Sequence, residues 1–136
     1  MKVIQLKGQD QRLYDLVAYL VMDEEVLKYN LNYPYKTSSE YCWFIATDKN
    51  KTLGFIPVKL KEEKAIINNY YVANDDSVVF CKLLKKVIQA LSSEFEIESV
   101  TQIQHVSFFE ESGFSTVLCW KRYVKMKKMK DEKKRL

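Results

Sequence analysis

The sequence is short of the residues that most chemistry begins with. Its 136 residues include three glycines, two prolines, three cysteines and a single histidine. Cys42, Cys81 and Cys119 are odd in number, form no C-x-x-C and have no metal-ligand spacing, so neither a disulfide framework nor a metal centre is expected. Each lies in an apolar run, which reads as a buried free thiol rather than a nucleophile. No apolar run approaches the ~20 residues that span a bilayer, so no membrane partner is expected. The opening MKVIQLKGQDQ turns polar too soon for a secretory signal, and the chain is read as cytoplasmic. Neither internal repeats nor a linker breaks the chain. With glycine this scarce, Gly113 is read as placed for a backbone reason.

The hydrophobic content of 47% and charged content of 29% are those of an ordinary globular protein, and the length suits one domain. Residues 1–126 are read as that domain and 127–136 as a basic tail. The formal charge of +4 is unevenly placed: from Lys121 onward there are nine basic and two acidic residues, which leaves residues 1–120 at −3. A basic end can touch nucleic acid. However, this one lacks interleaved aromatics beyond Tyr123, and nothing else in the sequence forms a basic stripe. Nucleic acid is therefore disfavoured as a partner, and the tail is read as a solvated end.

VIQL at residues 3–6 reads as an opening strand. Leu13, Leu16, Val17, Leu20 and Val21 then form one helical stripe, with Asp10 as its cap. KYNLNYPYKTSSE has no period and reads as loop with at most one helical turn. YCWFIATD and TLGFIPVKL about a KNK turn make a hairpin, and Pro57, lacking an N–H, marks an edge or a bulge. After a KEEK turn, AIINNYYVA is a third strand. Phe80, Leu83, Leu84, Val87, Ile88 and Leu91 form the clearest helical stripe, capped by Asp75, Asp76 and Ser77. ESVTQIQ is a strand, HVSFFEES a short helix ended by Gly113, and FSTVLCWKRYVKM a last strand-like segment. Strands and helices in this order predict a layered α/β or α+β domain.

The order β-α-β-β-β-α-β-α-β resembles the GNAT acetyltransferase fold, and several stretches sharpen the likeness. FFEESGF resembles the family's late signature, an aromatic pair on a short helix followed by two polar residues and Gly-Phe. WFIATDKNKTLGFIPV is similar to its central hairpin. YYVANDDSVVFCKLLKKVI resembles the segment that holds acetyl-CoA, and WKRYVKM a last strand. Nearly the whole chain is covered. The resemblance implies a mostly antiparallel mixed sheet of about six to seven strands flanked by helices. It also implies an acetyl-CoA-dependent N-acetyltransferase acting on a primary amine, small molecule or peptide, and it is compatible with a homodimer.

Carried over by position, the cofactor-binding residues are Tyr71, Val72, Ala73, Ser77, Val78, Val79 and Phe80, with a backbone N–H near Val72 polarising the thioester carbonyl. The substrate-binding set is Tyr29, Tyr33, Tyr35 and Asn69, with Tyr41 nearby. Tyr29, Tyr33, Tyr35 and Tyr41 can equally be rings that staple a loop to the core. The catalytic candidates are His105 and Tyr70. His105 is read as a neutral residue at a helix start, able to accept or share a proton, but with no partner visible in the sequence the favoured reading is a residue that bonds locally or faces water.

The sequence departs from the family in three places. The pyrophosphate loop [R/Q]-x-x-G-x-[G/A] places Val78 and Phe80 where small residues belong, with no Arg or Gln before them. Asp75 and Asp76 would repel a phosphate by ~1 kcal/mol each. Phe109 stands where many members carry the Tyr that protonates the thiolate, and a phenyl ring has no proton to give. Where members that use a general base carry Glu or Asp, the strand before the expected CoA loop offers only Asn68, Asn69, Tyr70 and Tyr71. The alternative to the enzyme is thus a non-catalytic GNAT-like binding module that has lost efficient acetyl-CoA binding.

Overall fold

The central hairpin organises the sheet. In the computed structural model, which describes residues 1–131, β2 (Tyr41–Asp48) and β3 (Lys51–Lys61) are buried over most of their length. A strand covered on both faces needs an unbroken apolar run rather than alternation, and YCWFIATD is such a run. Lys49 and Asn50 both have positive φ, 49° and 67°, the geometry of a two-residue hairpin turn. β1 (Lys2–Lys7) pairs antiparallel with β2.

The sheet has eight strands rather than six or seven, and both extra strands come from segments read as continuous. AIINNYYVA divides into β4 (Lys64–Ile67) and β5 (Tyr71–Val72), both paired with β3. Val58 faces Ile67 and Phe55 faces Tyr71, so two residues of β3 stand against three, Asn68 to Tyr70. One residue too many makes a β-bulge. Pro57 is one of the two residues facing it, so the strand without an N–H donor meets its partner where the partner breaks. The closing segment also folds back on itself, as β7 (Ser115–Cys119) and β8 (Tyr123–Lys128), with Trp120 N–H bonded to Tyr123 O at 2.8 Å.

With β6 (Glu96–Gln102), the order is β1-β2-β3-β4-β6-β8-β7, with β5 on β3. Only β4 and β6 run parallel, and their pairing ends at Ile67 and Ser99. Beyond that point β5 stays with β3 while Val100 to Gln102 follow β8. The strands diverge and leave a gap.

α3 (Ser77–Leu91) and α4 (Val106–Glu111) cover one face, burying Phe80, Leu83, Leu84, Val87 and Phe109 against Phe44, Ile56, Ile67, Ile97 and Met126. Full burial of each such side chain is worth ~1.5–3 kcal/mol. α1 (Gln11–Val21) and the short α2 (Glu24–Tyr29) cover the other face, with Leu13, Val17 and Val26 on Trp43, Ile45 and Phe55. Among the described residues, no helix covers that second face over β4, β6, β8 and β7. Gly113 has φ 101° and ends α4 as expected. The cysteines diverge from expectation: Cys42 is buried, Cys81 partly so, and Cys119 is exposed because β7 is a bare edge strand. The basic tail read over 127–136 begins inside β8, and from residue 132 it lies outside the described residues. No helix among the described residues is long and apolar enough to cross a membrane.

Gly54 lets β5 lie against β3: a Cβ there would sit 2.6 Å from Tyr71 O and 3.1 Å from Val72 Cα. Gly54→Ala is therefore expected to destabilise the fold by roughly 1–3 kcal/mol, read from urea unfolding. An unchanged midpoint would mean that this close approach is not a constraint.

Candidate functional site

Side chains cross the gap between the diverging strands. Tyr70 ends the bulge, and its hydroxyl accepts the Gln102 N–H of β6 at 3.0 Å while lying 2.8 Å from His105 Nδ1. The hydroxyl proton therefore goes to Nδ1, which assigns the imidazole proton to Nε2. Nε2 in turn lies 2.9 Å from Asp75 Oδ1, and the Tyr29 hydroxyl donates to the same oxygen at 2.7 Å. The Gln102 side chain donates to Tyr29 O at 2.8 Å. Five residues from α2, the bulge, the α3 approach, β6 and the turn after it thus form one connected network.

Local backbone places Asp75 there. Asn74 and Asp75 have φ 58° and 50°, left-handed values that Asn and Asp tolerate better than most residues. The chain turns back before α3, so Asp75 faces the gap and only Asp76 caps the helix, accepting from Val78 N–H at 2.9 Å and Val79 N–H at 3.2 Å. Aromatic rings enclose the network. Tyr29 stacks on His105 at 5.5 Å, Phe80 on Phe108 at 4.7 Å, and Phe109 packs against Tyr70 at 5.6 Å.

Burial decides the proton positions. It holds the His105 imidazole below the ordinary histidine range, with the Asp75 carboxylate pulling the other way. Burial also pushes the Tyr70 and Tyr29 hydroxyls far above the usual tyrosine range, helped at Tyr29 by its bond to Asp75. His105 is 1% exposed and Tyr70 likewise. The arrangement can share protons internally, but neither catalytic candidate reaches a surface where an acceptor would meet it. His105 does not bond locally or face water, as a lone helix-start histidine would; its partners are distant in sequence. Asp75 was not legible as its partner, nor Gln102 as the residue that bonds Tyr70 and Tyr29, because Asp75 reads equally well as a helix cap and no spacing links residues 75, 102 and 105.

The residues expected around acetyl-CoA do not fit it. Asp76 already holds the Val78 and Val79 N–H groups that would face a pyrophosphate. Ser77 and Val78 are exposed, Val79 and the Phe80 ring are buried beneath α3, and Ala73 lies in the turn. Tyr71 packs on Tyr29 and Phe55, and the Tyr70 bond to Gln102 closes the gap itself. The tyrosines of the substrate set part company. Tyr29 enters the network and Tyr35 bonds to Val26 O and Tyr70 O, both as staples. Tyr33, Tyr41 and Asn69 line an open groove.

Two outcomes follow from the network. Tyr70→Phe leaves the buried Gln102 N–H and His105 Nδ1 without a partner, and a loss of about 1–3 kcal/mol is expected in urea unfolding. Because folding lowers the His105 pKa, the unfolded chain takes up the proton first. Stability is then fully present above the unfolded value of 6.5 and declines as pH falls below it towards the folded value. His105 is the sole histidine, so the melting temperature is expected to fall between neutral and mildly acidic pH, and His105→Asn should flatten that fall. An equal slope in both proteins would place the titration elsewhere.

No protein-family model matches the sequence, and no curated protein sequence does. Solved structures match over nearly the whole chain. Escherichia coli ElaA aligns with a TM-score of 0.75 at 14% identity, covering 94% of this chain and 99% of its own. An acyl-CoA N-acyltransferase from Pseudomonas aeruginosa aligns at 0.72 and 14%, with the same coverage. The ribosomal-protein-S18-alanine N-acetyltransferase from Escherichia coli aligns at 0.70 and 13%, covering 98% and 97%. Identities this low speak for architecture alone, and they speak for one architecture: this chain has the GNAT N-acetyltransferase fold.

Proposed function

We propose that the chain is a non-catalytic binding module built on the GNAT fold. The observation that carries this is the Asp76 carboxylate on the first-turn N–H groups of α3. A helix N-terminus attracts an anion through unpaired N–H groups and the helix dipole. A carboxylate bonded there uses the former and opposes the latter. The Tyr70–His105–Asp75 network supports the same reading, since its donors and acceptors are already satisfied by one another and by the Gln102 N–H. N-acetyl transfer to a primary amine is the reading favoured by the activities of the structural neighbours, but a shared fold does not carry a shared reaction. We take the module to run to the end of β8 at Lys128 and the basic residues beyond it as its tail.

Calorimetry and thermal shift with acetyl-CoA and CoA test the proposal. A ligand at a hundred times its Kd would stabilise the native state by about 2.7 kcal/mol, a shift of several degrees. No heat and no shift are expected at millimolar ligand. A melting temperature that climbs with CoA concentration would restore the enzyme.

A further inference from the structure

The uncovered half of the sheet gathers residues from across the sequence. The register sets Tyr41 beside Lys59, Val100 beside Lys125 and Gln102 beside Tyr123. An open groove of about 490 Å³ lies here, lined by Tyr33, Lys36, Lys59, Asn69, Val100 and Tyr123 among others. Among the described residues, Lys36, Lys59, Lys61 and Lys125 make no ion pair. The carboxylates of Glu98 and Glu96 are engaged by Lys64 at 2.9 Å and Lys127 at 3.7 Å, and Glu40 lies by Tyr41. Glu62 acts on Lys64 as well, whereas the groove lining itself is charged by Lys36 and Lys59 and holds no acidic side chain. Tyr33 is 62% exposed and Tyr123 partly so. Asn69 spends its Oδ1 on Asn30 at 2.8 Å, which leaves its amide N–H groups to donate.

We propose that this face binds single-stranded nucleic acid, with the lysines on phosphates, bases stacked on Tyr33 and Tyr123, and the Asn69 amide on a base edge. This rests on the binding-module reading and names the class of its partner. The charge excludes an amine acceptor, which would meet the excess of lysines. An acidic peptide would use the lysines but offer no planar face to the rings, and a duplex keeps its bases stacked on one another. Phosphate contacts combined with ring stacking are what an unpaired strand supplies.

Fluorescence anisotropy with a labelled oligothymidylate tests this on the full chain. Saturable binding is expected at low salt, weakening as salt rises. The double variant Lys59→Gln/Lys125→Gln should bind about tenfold more weakly, with a salt slope smaller by about 1.4 for two phosphates lost. Tyr33→Ala, in an exposed loop, should cost about fivefold or more with an unchanged melting temperature. Lys82→Gln/Lys85→Gln on the outer face of α3 should change nothing. Absence of saturable binding overturns the assignment. So does equal affinity in the sheet double variant, which would place binding on the basic tail, or tighter binding of a poly-glutamate peptide than of the oligonucleotide. CoA titration of the same preparation judges the module reading separately: heat with CoA overturns that reading, whereas failure with the oligonucleotide alone overturns only the partner.

Discussion

One extra residue between Ile67 and Tyr71 governs much of this structure. The bulge breaks AIINNYYVA into two strands, ends the parallel pairing with β6 at Ser99, and turns Tyr70 into the gap it opens. Without it, β4 could run on beside β6 and Tyr70 would have no gap to cross. The bulge also leaves Asn68 and Asn69 on the open face, which explains two polar residues in the middle of an apolar strand: they belong to the break and not to the ladder.

The hydrogen bond from Gln102 N–H to the Tyr70 hydroxyl restores what the bulge takes away. An unpaired backbone N–H in the interior costs about 1–3 kcal/mol, and β6 would carry one where β4 leaves it. Supplying that bond fixes the remaining assignments in turn. Tyr70 donates its O–H to His105 Nδ1, the Nε2–H of His105 donates to Asp75, and the helix cap is left to Asp76. A strand gap that could admit a ligand is closed by the chain's own polar groups. The result is a satisfied interior: among the described residues, no buried side-chain nitrogen or oxygen lacks a partner.

The second consequence of the layout is asymmetry between the two faces. Helices cover one face as far as β8, leaving the edge strand β7 bare, and the other only over β1 to β3. The sheet face left bare alternates outward with the strands, so residues that look scattered along the sequence, such as Lys59, Lys125 and Tyr123, share a surface. Basic residues in the sequence form only a terminal run, whereas in the fold several of them border one aromatic groove.

The sequence by itself determined the layers. The helical stripes of α1 and α3, the KNK and KEEK turns, the Gly113 stop and the FFEESGF signature were all legible, because periodicity and turn chemistry act over a few residues. It also showed that the pyrophosphate loop was degenerate and that Phe109 had no proton to give, whereas Pro57, read as an edge or a bulge, lies in the interior strand β3 opposite the break in its partner. Tertiary structure alone decided the split of the third strand, the closing hairpin, the partners of His105 and the exposed Cys119. A lone histidine displays no partner in sequence, since Tyr70 and Asp75 reach it only when a bulge and a left-handed turn bring segments some thirty residues apart into contact. Local patterns record which face of an element is apolar. They do not record which distant polar group will meet it across a gap, and that is where the character of this site was settled.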